Sequence, residues 1–218
     1  MDISGIIAKI SVWGLPVLLA IILHEVAHGW VADRLGDSTA RWMGRLTLNP
    51  IKHIDPIGTI LIPLFLLVIG SPFLFGYAKP VPVNFKNLRR PKEDMVLVAL
   101  AGPATNLLLS LVSSALLALA VRLPPAAAWV AHPLEMMCQA SILINMVLCI
   151  FNILPLPPLD GGRVAVGLLP GAASYSLSRL EPYGFIIIIV LLATGVLQNV
   201  IGPLVLGSAD YLINIALT

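Results

Sequence analysis

The stretch Ile10–Leu35 reads ISVWGLPVLLAIILHEVAHGWVADRL and carries the motif HEVAH at positions 24–28. Its length and apolar character are those of a membrane-spanning helix, which needs about 20 apolar residues. Helical residues four apart lie about 40° apart around the axis, so His24 and His28 can bind one metal ion. Glu25 can then reach a water molecule that the metal activates. Because ionisable groups in a membrane span are costly and mark functional sites, the motif predicts a metalloprotease that works inside the membrane.

The composition excludes an ordinary soluble domain. The chain has 218 residues, of which 58% are hydrophobic and 11% charged, and its mean hydropathy is +0.96. Soluble domains carry about 25% charged residues. The net charge of +2 gives no indication of nucleic-acid binding, and the basic residues are typical of membrane-flanking positions. We therefore expect one all-α polytopic domain over residues 1–218, embedded in a lipid bilayer with about four to six transmembrane helices.

Further apolar segments follow the first one. They cover residues 56–75, 95–121, 134–154, 185–197 and 200–217. We expect a catalytic core of three helical regions, at about 7–35, 94–122 and 134–163, and C-terminal helices within 183–217. The segment 56–75 contains Pro63, Gly70 and Pro72, which favour a re-entrant or broken segment over a continuous helix.

The distribution of positive charge favours the same interpretation of residues 56–75. Basic residues lie on both sides of this segment: Arg34, Arg41, Arg45 and Lys52 before it, and Lys79, Lys86, Arg89, Arg90 and Lys92 after it. Positive charge marks the cytoplasmic side of a membrane, whereas a single crossing would put the two groups on opposite sides. The alternative is a true crossing with one basic loop translocated. We predict that Arg45, Lys86 and Arg163 face the cytoplasm and that Arg122 lies outside.

The residues after this segment predict a short strand. Pro80 and Pro82 exclude a helix, and Val81 and Val83 favour an extended backbone. Because proline cannot donate to a ladder of hydrogen bonds, it is confined to sheet edges. We expect a short β segment of the edge type near residues 76–84.

A catalytic zinc ion takes three protein ligands and leaves one position open, so the two histidines need a partner. Asp160 is the preferred candidate, in the stretch FNILPLPPLDGGR at positions 151–163. The prolines of this stretch end the preceding helix, and Gly161 and Gly162 free the backbone after the carboxylate. Non-helical backbone at membrane depth is tolerated only when it is buried in protein or lines a wet cavity. The alternative is an ordinary turn, which Asp-Gly-Gly also favours.

Three motifs together resemble a known family. HEVAH at 24–28, AGPATN at 101–106 and NILPLPPLDGG at 152–162 resemble, in this order, the signatures of the site-2 protease family of intramembrane zinc metalloproteases, peptidase family M50. Residues 33–84 resemble the short bacterial members that lack a PDZ domain.

The resemblance implies His24, His28 and Asp160 as ligands of one Zn²⁺ per chain, with Glu25 as the general base. It also implies that Asn152 holds the substrate or the oxyanion. Further, it implies a transmembrane protein or peptide as substrate and a place in the bacterial inner membrane. The distribution of positive charge predicts that the active site opens toward the cytoplasm.

Three polar residues have a functional and a structural interpretation. For Asn152, the alternative to substrate binding is an interhelical hydrogen bond that serves packing. Asn106, with Gly102, is typical of close helix packing, and a substrate or oxyanion contact is its second interpretation. His53, beside Asp55, either contacts the substrate or supports a metal ligand without binding the metal itself. The alternative is a solvated loop residue.

The sequence therefore predicts a zinc-dependent endopeptidase that hydrolyses peptide bonds in or near transmembrane segments of membrane proteins. One alternative is a catalytically inactive scaffold of the same fold, but such a protein typically lacks Glu25 or a ligand. Another is a metal-ion transporter, but transporters usually have repeated halves with paired broken helices, and the sequence contains no such repeat.

Overall fold

The computed structural model describes residues 3–70 and 76–218, with the side chains of residues 3–9 and 67 left aside. The helices are α1 (Ile3–Leu35), α2 (Thr39–Trp42), α3 (Ile62–Val68), α4 (Pro91–Ala120), α5 (Ala128–Asn152), α6 (Asp160–Leu168), α7 (Gly171–Ser178), α8 (Glu181–Ala193) and α9 (Val196–Leu217). Within the described residues, α1, α4, α5 and α9 are long and apolar enough to cross a membrane. The expectation of an all-α polytopic membrane protein is confirmed at this level.

Helices α1 and α4 run antiparallel in close contact. At one end the Arg89 amide donates to the carbonyl of Leu35 at 3.1 Å, and further along Asn106 Nδ2 donates to the carbonyl of Ala20 at 3.2 Å. The buried positions of α4 include many small or polar residues: Gly102, Asn106, Ser110, Ser113 and Ser114. Lipid is as apolar as leucine, so small residues and interhelical hydrogen bonds are what hold membrane helices together.

Helix α5 returns antiparallel to α4, and α9 packs against both. Ser113 Oγ lies 2.7 Å from Ser141 Oγ, and Ser114 Oγ donates to the Leu212 carbonyl at 2.8 Å. An apolar cluster joins the three helices away from the polar site and consists of Leu117, Cys138, Ile142, Met146, Ala209 and Ala216. This cluster fixes the hairpin that positions the remaining elements.

The stretch between α5 and α6 folds back on itself, so that Gly161 lies against Ile153. Helix α5 ends at Asn152 and α6 begins at Asp160, so the region expected at 134–163 consists of two helices joined by a proline-rich turn. A Cβ on Gly161 would lie 2.0 Å from the carbonyl oxygen of Ile153, and one on Gly162 would lie 2.2 Å from the nitrogen of Pro157. Only glycine permits this close approach of α6 to the turn, which places Asp160 next to α1.

Residues 56–70 form a short helical excursion from which the chain returns. A π-helical turn, Pro56–Leu61, begins at Asp55, whose carboxylate accepts from the amides of Ile57 and Gly58. It leads directly into α3, and the 6 and 7 residues of these two elements together span at most about 20 Å, against about 30 Å for a bilayer core. Residues 71–75 of the predicted segment lie outside the described residues.

The two ends of this excursion lie side by side. The Tyr77 amide donates to the Gly58 carbonyl at 3.1 Å, and the Lys79 amide donates to the His53 carbonyl at 2.9 Å. A Cβ on Gly58 would lie 2.4 Å from the ring of Tyr77, so glycine is needed where the two arms meet. The chain therefore comes back at Tyr77 to the place that it left at Gly58.

Residues 76–84 carry no regular secondary structure, and no strand is assigned in residues 3–70 or 76–218. Their amides donate to the carbonyls of Gly58 and His53 and to the side chains of Glu25 and Asp37. Among the described residues, no strand lies beside them to complete a ladder. The short β segment expected here is accordingly not formed in this structure.

The C-terminal helices have different limits from those expected. Helix α8 begins at Glu181 and ends at Ala193, because Gly195 adopts a left-handed conformation with φ of 75° before α9 starts. Helices α7 and α8 meet at a bend of 62°. Together they are long and apolar enough to form one further span. Four spans, or five with this bent pair, agree with the expected number.

Candidate metal centre

The structure brings His24, His28 and Asp160 together. Asp160 Oδ2 lies 3.2 Å from His24 Nε2 and 3.3 Å from His28 Nε2, and the two Nε2 atoms are 3.1 Å apart. Their relative exposures are 7%, 9% and 6%. One ligand atom from each residue falls within 4.8 Å of the others, so the three could hold one metal ion.

The chemistry of this cluster fits zinc. Oδ2 of Asp160 is buried and has no hydrogen-bond donor among the described residues, which is costly for a carboxylate oxygen. Two imidazole nitrogens and one carboxylate oxygen form a ligand set that catalytic zinc uses, with a fourth position left for water. A cation at this point would satisfy all three groups.

Hydrogen bonds to Nδ1 fix the orientation of both imidazoles. His28 Nδ1 donates to the Val98 carbonyl at 2.7 Å. His24 Nδ1 lies 2.5 Å from Asn106 Oδ1. Asn106 Nδ2 already donates to the Ala20 carbonyl and to Asn145 Oδ1, so its oxygen is the group that faces His24. Each imidazole thus carries its proton on Nδ1 and presents Nε2 to the cluster, as metal-binding histidines do.

Gly102 permits the approach of α4 to the two histidines. A Cβ at this position would lie 2.5 Å from His28 Nε2 and from His24 Cε1. Any other residue would displace an imidazole ring from its place. Gly102 thus lies where α4 packs closely on α1, as expected, and the groups that it packs against are the candidate metal ligands themselves.

Glu25 lies beside the cluster and contacts the segment 76–84. It is half-buried, and its Oε2 accepts a hydrogen bond of 2.8 Å from the amide of Val81. One carboxylate oxygen is thereby held by the protein, while the side chain still borders the cavity.

A cavity of about 540 Å³ opens over these groups, within the range of about 300–1,000 Å³ that small-molecule pockets occupy. Its polar groups include the three cluster residues and Glu25, and its other walls come from residues 76–85, from α5 and from α8. Helix α8 contributes Phe185, whose ring meets Tyr77 edge to face at 6.3 Å between centroids. The cavity could receive an apolar polypeptide segment.

The three further candidate residues lie in different places. Asn152 borders the cavity, but its Nδ2 donates to the Leu148 carbonyl one turn back at 3.0 Å. Asn106 is fully buried and contacts His24 rather than the cavity. His53 is 3% exposed and borders a second cavity of about 240 Å³ behind Tyr77, where its Nε2 donates to the Thr47 carbonyl at 2.8 Å.

Sequence reasoning missed several partners of the cluster. Asn145 supports Asn106, and a polar residue within an apolar span is a signal that could have indicated it. The carbonyl of Val98 and the amide of Val81 belong to the backbone, so no residue type could have indicated them.

Comparison with known proteins agrees with the motifs. The family model described as Peptidase family M50 matches residues 120–196. Putative zinc metalloprotease YwhC of Bacillus subtilis is 40% identical over 203 residues, which cover 92% of this chain and 89% of YwhC. Putative zinc metalloprotease Rip2 of Mycolicibacterium smegmatis is 29% identical over 198 residues, which cover 89% of this chain and 71% of Rip2.

A third relative is longer than this chain. Putative zinc metalloprotease Rip3 of Mycobacterium tuberculosis is 32% identical over 203 residues, which cover 89% of this chain and 41% of Rip3. No solved structure matches the chain. The family match and the identity with YwhC over most of both chains show that this protein belongs to peptidase family M50.

Proposed function

We propose that this protein is a zinc-dependent intramembrane endopeptidase that hydrolyses peptide bonds in or near transmembrane segments of membrane proteins. The observation that carries the proposal is the cluster of His24, His28 and Asp160, with Glu25 beside it, under a cavity between apolar helices. The single domain over residues 1–218 would hold one zinc ion.

His24, His28 and Asp160 are the proposed zinc ligands. When bound, zinc supplies a Lewis acid for the scissile carbonyl and lowers the pKa of a water molecule to about 7. The two Nδ1 hydrogen bonds, to Asn106 and to the Val98 carbonyl, keep the imidazoles oriented toward the ion. Asn106 is accordingly proposed as a positioning residue for His24.

Glu25 is the proposed general base. It takes a proton from the attacking water and passes it to the leaving amine. Its place next to His24 in the chain and on the cavity wall supports this role. Asn152 is proposed to stabilise the oxyanion. For this, its Nδ2 must turn from the Leu148 carbonyl toward the cavity, and the charge that develops on the substrate oxygen would favour that rotation.

The substrate is proposed to bind as an extended segment. A helix hides its carbonyls in hydrogen bonds to residues four positions along the chain, so a transmembrane helix must unwind before cleavage. Residues 76–84 would pair with the unwound segment and form the short β segment in the complex. Gly76, Tyr77, Ala78 and Val81 border the cavity, which supports this mode. His53 is proposed to contact a substrate side chain that reaches the second cavity.

The proposed location is the bacterial inner membrane, with the site open toward the cytoplasm. The basic residues of positions 34–92 belong to a loop whose two ends meet, because the amide of Arg89 bonds to the Leu35 carbonyl. The positive-inside rule assigns such a loop to the cytoplasmic side. The lipid bilayer and a membrane-protein substrate are the proposed partners, and no nucleic acid is among them.

The test compares cells that produce the wild-type protein with cells that produce Glu25→Gln. Turnover by the variant should fall by at least about 10²-fold, the lower range for a general base, because glutamine cannot accept the proton. Mass spectrometry of protein termini in the membrane fraction should find new termini within apolar segments only with the wild type. Zinc content of both purified proteins should be the same.

Identical termini in the two cell lines would overturn the proposal. If the wild type and Glu25→Gln both bound membrane proteins without cleaving them, that result would indicate a scaffold. Zinc uptake into proteoliposomes that contain the purified protein would indicate a transporter.

A further inference from the structure

Arg45 is a buried cation without a carboxylate partner among the described residues. It is 7% exposed, and no ion pair within residues 3–70 and 76–218 includes it. Its Nη2 donates instead to two consecutive backbone carbonyls, of Lys79 at 2.8 Å and of Pro80 at 3.2 Å. Arginine is rarely buried without a counter-charge, because its desolvation is costly. The two carbonyls of Lys79 and Pro80 are therefore the groups that compensate the desolvation of this guanidinium.

The next residue along the chain is the one that contacts Glu25. Val81 stands between Pro80 and Pro82, neither of which has an N–H group. Its amide is therefore the only backbone donor among three residues, and it donates to Glu25 Oε2 at 2.8 Å. Arg45 thus fixes the carbonyl immediately before the amide that restrains the candidate base.

Helix α1 itself receives the side chain of Val81. Gly29 follows Glu25 by one turn, and a Cβ on Gly29 would lie 2.6 Å from Val81 Cγ1. Beyond Val81, the amide of Asn84 donates to Asp37 Oδ2 at 2.6 Å. The segment is held on both sides of Val81, by Arg45 before it and by Asp37 after it.

We propose that Arg45 is a positioning residue for the general base. By holding the carbonyls of Lys79 and Pro80, it keeps the Val81 amide on one oxygen of Glu25 and leaves the other oxygen for the attacking water. The inference rests on the proposed function for the identity of the base. Arg45 does not border the cavity over the metal centre, so it acts through the segment rather than on the substrate.

The first measurement does not depend on activity. Hydrogen–deuterium exchange is followed by mass spectrometry on the purified zinc-loaded protein in detergent. Because Pro80 and Pro82 have no N–H, two fragments with the same N-terminus, one ending at Lys79 and the other at Pro82, differ only in the amide of Val81. The difference in deuterium uptake between them reports that amide. Arg45→Met should speed exchange at Val81 at least about tenfold, since its hydrogen bond would be made only part of the time.

Two further variants give the comparison. Arg41→Met, on the same loop, removes an arginine whose side chain is 63% exposed and paired with Asp33, and it should leave exchange at Val81 unchanged. Glu25→Ala should speed exchange at Val81 but not at Lys79, whose amide bonds to the His53 carbonyl. Unchanged exchange at Val81 in Arg45→Met would overturn the inference, whatever the activity.

The second measurement uses kinetics on a membrane-protein substrate that the wild type cleaves. For Arg45→Met, we expect kcat to fall at least about tenfold, because a misplaced catalytic group loses its alignment. KM should change less than about threefold and zinc content should stay the same. Arg45→Lys keeps the charge but not the planar group of donors, so its kcat should lie between those of Arg45→Met and the wild type. If Arg45→Met does not fold, Arg45→Lys replaces it in both measurements.

Unchanged kcat in both variants, or a rise in KM alone, would overturn the inference and leave the proposed function in place. Absence of cleavage by the wild type would overturn the proposed function instead. The exchange experiment still decides in that case whether Arg45 holds Val81 against Glu25.

Discussion

At the candidate metal centre, each imidazole uses one nitrogen for the protein and presents the other to the cluster. His24 bonds through Nδ1 to a side chain on α4, and His28 bonds through Nδ1 to a backbone carbonyl of the same helix. Asp160 has no such support at Oδ2, which faces only the two Nε2 atoms. The three residues should therefore respond differently to substitution.

Asp160→Ala should lose most bound zinc, because two histidines leave the site short of the three protein ligands that catalytic zinc takes. Metal analysis of the purified variant, beside the wild type, measures the loss. Thermal unfolding in the presence of a chelator checks that the variant is folded. Full zinc content and activity in this variant would show that Asp160 is not the third ligand.

Asn106→Ala should weaken zinc binding by about 10–100-fold without removing a ligand, because the contact of Asn106 with the metal centre is its hydrogen bond with Nδ1 of His24. Competition with a zinc chelator of known affinity gives the ratio. Ser114→Ala on the same helix, whose hydroxyl bonds to the Leu212 carbonyl, is the matched control. Equal weakening in both variants would mean that Asn106 serves helix packing alone.

The sequence was enough to predict which residues form the cluster, but not which groups hold Glu25 beside it. The spacing of His24 and His28 follows from helix geometry, and the prolines and glycines around Asp160 indicated a special backbone. The restraint on Glu25 comes from the amide of Val81, which lies 56 positions away along the chain. A backbone group has no residue type to indicate it, and pairing over such a distance depends on the completed fold.

At the scale of elements, the loop between α1 and α4 is held to the end of α1 by Asp37. This side chain is fully buried and accepts hydrogen bonds from the amide of Asn84, from Nδ2 of Asn87 and from Thr39. Burial raises the pKa of Asp37, but the hydrogen bonds from Thr39, Asn87 and Asn84 lower it by more, so this pKa lies below its ordinary value of 3.8. The ionised form is the one that stabilises the loop.

Asp37→Asn should lower the stability of the folded protein at neutral pH by about 1.5–3 kcal/mol, the range for hydrogen bonds to a charged group. Because the folded-state pKa lies below the unfolded value, this contribution is complete above pH about 4 and is lost as the pH falls toward the folded pKa. The difference in unfolding temperature between wild type and variant should therefore narrow below pH about 4. Comparing the two proteins at each pH removes the titration of the metal centre, which they share.

A constant difference down to the lowest pH would contradict the role of ionised Asp37. Thr59→Ala serves as the control, because its hydroxyl bonds to backbone groups of Asp55 and Tyr77. Its effect on unfolding should not change with pH.

Features of the fold that depend on the residue types of one short segment could be predicted from the sequence. Features that depend on contacts between distant segments could not. The prolines after Asn152 correctly indicated the end of α5. The segment 76–84 also lacks a helix, as Pro80 and Pro82 require, but a strand needs a neighbour and the described residues supply none. The hydrogen bond between Tyr77 and Gly58 joins two arms across the excursion, and no local pattern indicates it.

At the scale of the whole molecule, one end of the helix assembly gathers the chemistry. The C-terminal end of α1, the start of α4, the end of α5 and the start of α6 meet there. His28 lies seven residues before Leu35, about 10 Å along α1 at 1.5 Å per residue. With a hydrocarbon core of about 30 Å, the metal centre would lie between one boundary and the midplane. In the proposed orientation, with the basic loop in the cytoplasm, this boundary is the cytoplasmic one.

Cysteine labelling in intact cells tests this arrangement. Single cysteines replace Arg41, Lys86, Arg163 or Arg122 in a background without Cys138 and Cys149. Position 41 stands in for Arg45, which is buried and would be protected on either side. An impermeant reagent should label only position 122, and all four positions should react after the membrane is opened.

Labelling at position 86 together with protection at position 41 would show that residues 56–75 cross the membrane. That outcome would contradict the hydrogen bonds that join Gly58 to Tyr77 and His53 to Lys79, since partners 3 Å apart cannot lie on opposite sides of a core about 30 Å thick. Residues 76–84 would then be on the wrong side to hold an unwound substrate or to restrain Glu25 from the cytoplasmic end. Protection at both positions keeps the two arms together, as pairing of the substrate with this segment requires.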